Sequence, residues 1–393
     1  MTRALFLHSQ TLHAKVTIPL ALACLDRGWE VAFQANRPVF FGRSIGFSEK
    51  AITRNPTTVG ILNPGAMDFV ADLIGLGDAW RAARCRVRFP MTPRSGRYDC
   101  LIGTTKNILE VREAARALGV PGYAVGYQHF PFFARVDAPF RNHDGVAERE
   151  SVFLSDNPFT RQHRFPDILA GCDLKLLTFT FLDQVFASRP SGTPNGRDQV
   201  LIFHPGGYRG VVTEPGEPKA ACYAKQKAFL ERLCIPLVRE GLTPVVKVHP
   251  LRARYHDLGD ISHLAAEVER ENGLPPHSIK CLGPKAWFWE AAWRSAFILT
   301  FGSSSIYELW SAGLKNVSVC NFEGPARSNK FRLFETTFLE RYDDYLELVN
   351  QKGQAPPKLD AFTARVCESY HALFDGSAVS NAMNLLERDL SAA

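Results

Sequence analysis

Short apolar runs alternate with longer helix-period stretches along most of this chain. Residues 4–7 are apolar, a polar loop through His13 follows, residues 18–26 place apolar side chains at helical spacing up to Gly28, and 30–34, centred on Val31, Ala32 and Phe33, read as strand again. Short apolar runs read as strands and the spaced ones as helices, so the opening predicts a βαβ unit and a parallel sheet. Further on, the pattern gives a strand at 98–102 opened by Asp99, a helix at 106–118 closed by Gly119, and a strand at 121–127 ending on Gln128 and His129. His8 sits close enough to the first strand to be packed against it.

The pattern weakens between 134 and 198, and residues 188–198 have the Ser, Pro, Gly and Asn content of an interdomain linker. A second alternation then begins. A strand at 199–203 runs into His204-Pro205-Gly206-Gly207, a helix covers 221–240, and a strand at 244–248 leads to His249-Pro250. Helix and loop fill 268–293. A strand at 296–300, a helix at 304–312 and a strand at 317–321 follow, and 359–390 reads as helix interrupted near Asp375-Gly376. The expected fold is α/β with two Rossmann-like, doubly wound domains: 1–187, a linker at 188–198, a second domain at 199–360 and a helical tail at 361–393. Two such domains are expected to face each other across a cleft, because open parallel sheets bind ligands at the carboxyl ends of their strands.

Length and composition agree with two globular domains: 393 residues, 46% hydrophobic and 22% charged, which excludes a disordered or fibrous chain. A net charge of +6 suits an anionic substrate or surface but supplies no basic stripe for nucleic acid, so no nucleic-acid partner is expected. The nine cysteines are odd in number and never form Cys-x-x-Cys, which points to a reducing, cytoplasmic setting. No segment reaches the roughly 20 apolar residues of a membrane span, so any membrane contact is expected to be peripheral. Arg81, Arg84, Arg86, Arg88, Arg94 and Arg97 are the one basic cluster, read either as a solvated face or as contact with an anionic acceptor or lipid headgroups.

Candidate chemistry collects at strand ends in the second half. Lys247 and His249 alternate on one strand and share a face as far as the strand runs. Ser303, Ser304 and Ser305 put three hydroxyls at a helix start, where free N–H groups favour an anion, and Glu308 lies one turn beyond. Gly206 and Gly207 allow a backbone to approach a phosphate closely. Structural alternatives stand beside each: a capping or core imidazole for His249, an N-cap for the serines, a solvated or capping-box role for Glu308, a plain turn for the glycines. No Gly-x-Gly-x-x-Gly follows either opening strand, which argues against a nicotinamide dehydrogenase. Trp287, Phe288, Trp289 and Trp293 read as helix packing.

The opening strand, loop and helix, and the stretch 99–127 with its Leu-Gly-Val-Pro, resemble the GT-B glycosyltransferases. Lys-Val-His-Pro at 247–250 with the later Ser-Ser is similar to the paired motifs of bacterial sialyltransferases, capsule Kdo transferases and CDP-glycerol glycerophosphotransferases. Phe374-Asp375-Gly376-Ser377-Ala378 resembles the close of such capsule enzymes. The resemblance implies an inverting transferase that moves a sugar from a CMP- or UDP-linked donor to a surface glycan or lipid-linked glycan. Because no Asp-x-Asp occurs, no metal or other cofactor is expected. It also implies that His249 donates to the leaving phosphate, that Lys247, Ser303–Ser305, Glu308, Gly206 and Gly207 hold the donor with Glu308 on a ribose hydroxyl, and that the base is His13 or His129, or else a carboxylate. Transfer of a polyol phosphate from a CDP-linked donor, UDP-sugar 2-epimerisation and a non-catalytic nucleotide-binding scaffold remain as alternatives.

Overall fold

The computed structural model describes residues 1–8, 13–35, 64–90, 97–104, 108–125, 174–177, 180–191, 197–204, 219–248, 261–283, 286–301, 305–320, 322, 338–353 and 374–392. The chain divides into two compact units: Met1–Ala187 together with Ser369–Ala393, and Ser188–Glu368.

In the first unit β1 (Arg3–His8), β2 (Glu30–Ala35), β3 (Val87–Arg88), β4 (Cys100–Thr104), β5 (Gly122–Val125) and β6 (Leu174–Leu177) form one sheet in the order β3-β2-β1-β4-β5-β6. Every pairing is parallel. α1 (Ala14–Asp26), α2 (Pro64–Leu73), α3 (Gly77–Ala83), α4 (Ile108–Leu118) and α5 (Leu182–Ala187) are its helices up to Ala187. Ala4, Leu5 and Phe6 of β1 are fully buried, as a central strand covered on both faces requires. Gly103 on β4 keeps that covering close, because a Cβ there would lie 2.0 Å from Val111 Cγ2 on α4. α1 starts four residues before the helix read from sequence and runs through Pro19. Proline gives up one i→i−4 bond inside a helix. Here burial of Ala14, Val16, Ile18, Leu20 and Ala21 offsets that loss.

The second unit repeats the plan. β7 (Gln199–Phe203), β8 (Thr243–Lys247), β9 (Lys280–Leu282), β10 (Ser295–Thr300), β11 (Val317–Cys320) and β12 (Phe338–Leu339) order as β12-β11-β10-β7-β8-β9, all parallel. Counted from its own first strand, this is the same doubly wound, Rossmann-like order as in the first unit. Its helices are α6 (Lys219–Arg239), α7 (Ile261–Glu271), α8 (Trp289–Arg294), α9 (Ser305–Ser311) and α10 (Tyr342–Asn350). Val200 and Ile202 of β7 and Phe297 and Leu299 of β10 share one core with Leu230, Leu233 and Leu237 of α6. The tryptophan-rich segment packs here too: Phe288 meets Phe203 edge to face at 5.0 Å, and Trp289 is 1% exposed.

From Ser369 on, the tail belongs to the first unit. α11 (Ala378–Ser391) is capped by a carboxylate from another helix, since Asp183 accepts from the backbone N–H of Ala378 at 2.9 Å and of Val379 at 2.8 Å. The Phe-Asp-Gly-Ser segment makes the turn that delivers this helix. Phe374 packs on Phe186, the Asp375 carboxylate accepts from Ser377 N and Oγ, and Gly376 takes φ +78° with a Cβ position only 2.8 Å from the Phe186 ring. Any other residue at 376 meets both backbone strain and a clash. Among the described residues no helix is long and apolar enough to cross a membrane.

Candidate functional site

In each sheet the strand order reverses between the first and fourth strand, β1 and β4 in one unit and β7 and β10 in the other, and a doubly wound sheet binds ligands beside that reversal. The polar residues at these ends define the candidate site, taken unit by unit.

In the first unit β1 ends on His8, β4 ends on Thr104, and His13 stands immediately before α1. All three are fully buried. His8 Nε2 lies 2.7 Å from Thr17 Oγ1 on α1, and its ring meets Phe33 edge to face at 5.2 Å. Burial pushes the His8 imidazole down to about 3, so it is neutral at any ordinary pH. His13 makes no side-chain cap for α1. Its ring turns instead toward the neighbouring strand, with Nδ1 3.2 Å from Thr104 Oγ1. The two imidazoles sit edge to face, 6.1 Å between centroids.

In the second unit β7 runs into His204, which is buried with Nε2 2.5 Å from Gln226 Oε1 on α6. Lys247 closes β8. Its Nζ donates to the carbonyls of Val248 at 3.0 Å and Gly283 at 2.8 Å, so the ammonium clasps the ends of β8 and β9 together. Burial lowers the Lys247 amine to about 7. Beyond β10, Ser305 opens α9 and Glu308 lies in its first turn, 3% exposed. A buried Glu308 is not the solvated side chain that one alternative assumed. At seven residues α9 is two turns long, so any attraction of an anion here rests on hydroxyls and first-turn N–H groups more than on a long dipole.

His129, His249, Gly206, Gly207, Ser303 and Ser304 lie outside the described residues. Of the expected site residues the structure therefore describes His13 in the first unit and Lys247, Ser305 and Glu308 in the second. Thr104 and Thr17 were missed. A threonine on an apolar strand or in a helix carries no signal of its own, and Thr104 is 91 residues from its partner.

Three arginines of the basic cluster form ion pairs, and Arg94 lies outside the described residues. Arg81 bridges Asp72 and Asp78, Arg84 pairs with Asp68, and Arg88 pairs with Glu30 at 3.3 Å, while Arg86 donates to the carbonyl of Leu25. Exposed pairs of this kind contribute little stability, yet they neutralise much of the positive field the sequence suggests.

No family model and no curated protein matches the chain. Among solved structures, the calicheamicin glycosyltransferase CalG4 aligns with all of this chain and 98% of its own, with a TM-score of 0.50 at 12% identity. The fold is GT-B. Other neighbours are the S. aureus MnaA–UDP co-structure, with a TM-score of 0.49, and a putative UDP-N-acetylglucosamine 2-epimerase from Listeria monocytogenes, with 0.48. Each is 11% identical, with 100% of this chain and 97% of that chain covered. At 12% identity the CalG4 likeness shows the fold alone, and chemistry has to be argued from the residues.

Proposed function

We propose that this GT-B chain is an inverting glycosyltransferase, moving a sugar from a nucleotide-linked donor to a hydroxyl acceptor. The observation that carries the reading is His13: a buried imidazole that caps no helix and faces the end of β4 at the point where the strand order reverses. In this reading His13 takes the acceptor proton at Nε2 as the hydroxyl oxygen attacks the anomeric carbon. The bond from that carbon to the donor phosphate breaks, and the electron pair leaves on phosphate oxygen. The second unit holds the donor. Glu308 bonds a ribose hydroxyl, Ser303, Ser304, Ser305, Gly206 and Gly207 hold the phosphates, and His249 donates to the leaving oxygen. Lys247 shapes this end by holding Val248 and Gly283. His129 is the alternative base.

The lack of Asp-x-Asp supports a reaction that needs no divalent metal, and the paired His-Pro and Ser-Ser motifs support a CMP- or UDP-linked donor with a surface glycan such as capsule, O-antigen or lipopolysaccharide as acceptor. The test is calorimetric titration of the purified protein with CMP, CDP and UDP in metal-free buffer, followed by activated sugars carrying the nucleotide that binds. Binding of one nucleotide, with acceptor-dependent release of that nucleotide from its sugar, is expected. A CDP-polyol donor consumed instead, an epimerised UDP-sugar without transfer, or binding with no turnover would each replace this reading, and no binding at all would remove it.

A further inference from the structure

Thr104 is the last residue of β4, paired in register with Val125 of β5, and fully buried. A β-branched residue fixed on a central strand has little χ1 freedom, so its hydroxyl is a rigid point. His13 faces that point from the other side of the reversal. Its Nδ1 is 3.2 Å from Thr104 Oγ1, and its carbonyl is 3.4 Å from Thr17 Oγ1, the same hydroxyl that meets His8 Nε2 at 2.7 Å. His13 is thus held at the ring by β4 and at the backbone by α1.

We infer that Thr104 is the positioning residue of His13, its hydroxyl accepting the Nδ1 proton so that Nε2 keeps the lone pair. The inference rests on His13 as the base of the proposed reaction, because only in the Nδ1–H tautomer does Nε2 carry the lone pair that takes a proton. A hydroxyl can donate or accept, and it selects the Nδ1–H tautomer in the arrangement where it accepts. Unlike a carboxylate in that place, it adds no charge. The imidazolium formed during transfer therefore lacks an ionic partner in Thr104 and returns its proton readily once the acceptor has reacted.

The experiment combines nitrogen-15 histidine NMR with steady-state transfer kinetics on the full chain, the His13 signals assigned by their loss in His13→Gln. Wild type is expected to show His13 as the Nδ1–H tautomer. Thr104→Val, which keeps shape and branching, should shift His13 to the other tautomer or a mixture and lower kcat on the order of tenfold to a hundredfold with donor KM unchanged. Thr104→Ser should restore both. An Nε2–H tautomer in wild type, or the same tautomer in wild type and Thr104→Val, overturns the assignment. The tautomer is read without substrate, so the two ideas fail separately: a tautomer that answers to Thr104 while His13→Gln retains full transfer supports the positioning and removes His13 as the base.

Discussion

Both units bury a histidine at the carboxyl end of their first strand and bond its Nε2 to the helix that follows: His8 to Thr17 on α1, His204 to Gln226 on α6. The first unit adds a second imidazole, His13, which turns to a neighbouring strand at the reversal point. A histidine tied to its own following helix fastens the βα turn. One tied across the reversal stands where ligands bind. In the second unit, whose order reverses between β7 and β10, Lys247 lies one strand away on β8 and donates to two carbonyls, and the buried Glu308 follows β10. Two repeats of one architecture thus carry different polar residues at their strand ends, and the proposed reaction assigns proton transfer to one and donor binding to the other.

The largest effect should come from breaking that separation at its reactive side. His13→Ala is expected to lower kcat by about 10²–10⁴-fold, the usual range for a general base, while His8→Asn should leave kcat near wild type. Acceptor-saturated transfer rates decide this. Equal losses in kcat from both variants would erase the distinction between the two histidines.

The next effect is a pair of pH windows, one for each unit. His8 is held below its ordinary value of 6.5, at about 3, so between those values the unfolded chain binds a proton that the native chain does not. Stability should therefore fall as pH drops from 6.5 toward 3, by roughly 1.4 kcal/mol per pH unit at most. Lys247, held at about 7 against 10.5, works in the same direction in a higher window, so its contribution should rise as pH goes from 7 to 10.5. Urea unfolding across pH checks both, with His8→Asn flattening only the acid limb and Lys247→Met only the alkaline one. The Lys247→Met chain should also lose the clasp between Val248 and Gly283, visible as faster amide exchange at the ends of β8 and β9.

Thr17→Val and Gln226→Leu probe the parallel helix bonds, and each should cost about 1–3 kcal/mol in chemical denaturation. Similar values would support one fastening device used twice. Smallest is Asp183→Ala, which removes the cap on α11 and should cost about 1 kcal/mol with transfer unchanged. A large loss of activity there would give the tail a role beyond packing.

The central strands of both sheets were legible because β1, β4, β7, β8 and β10 are apolar runs that end on polar residues. β3, β9 and β12 were not, since edge strands of two or three residues show no period. Pro19 hid the first turn of α1, which tertiary burial stabilises regardless. Within the site, His13, Lys247, Ser305 and Glu308 could be singled out because their side chains carry chemistry. Their surroundings could not: alternation puts Lys247 on a face but cannot reveal the two carbonyls that take its ammonium, and nothing near position 104 announces an imidazole from position 13.

The claim that most needs testing is that the donor belongs to the second unit and the base to the first. Amide hydrogen exchange with and without saturating amounts of the nucleotide that binds addresses it directly. Slowed exchange is expected at 243–248, 298–301 and 305–311, with 3–8 and 100–104 unchanged. Slowed exchange confined to the first unit, or none in either, would contradict it.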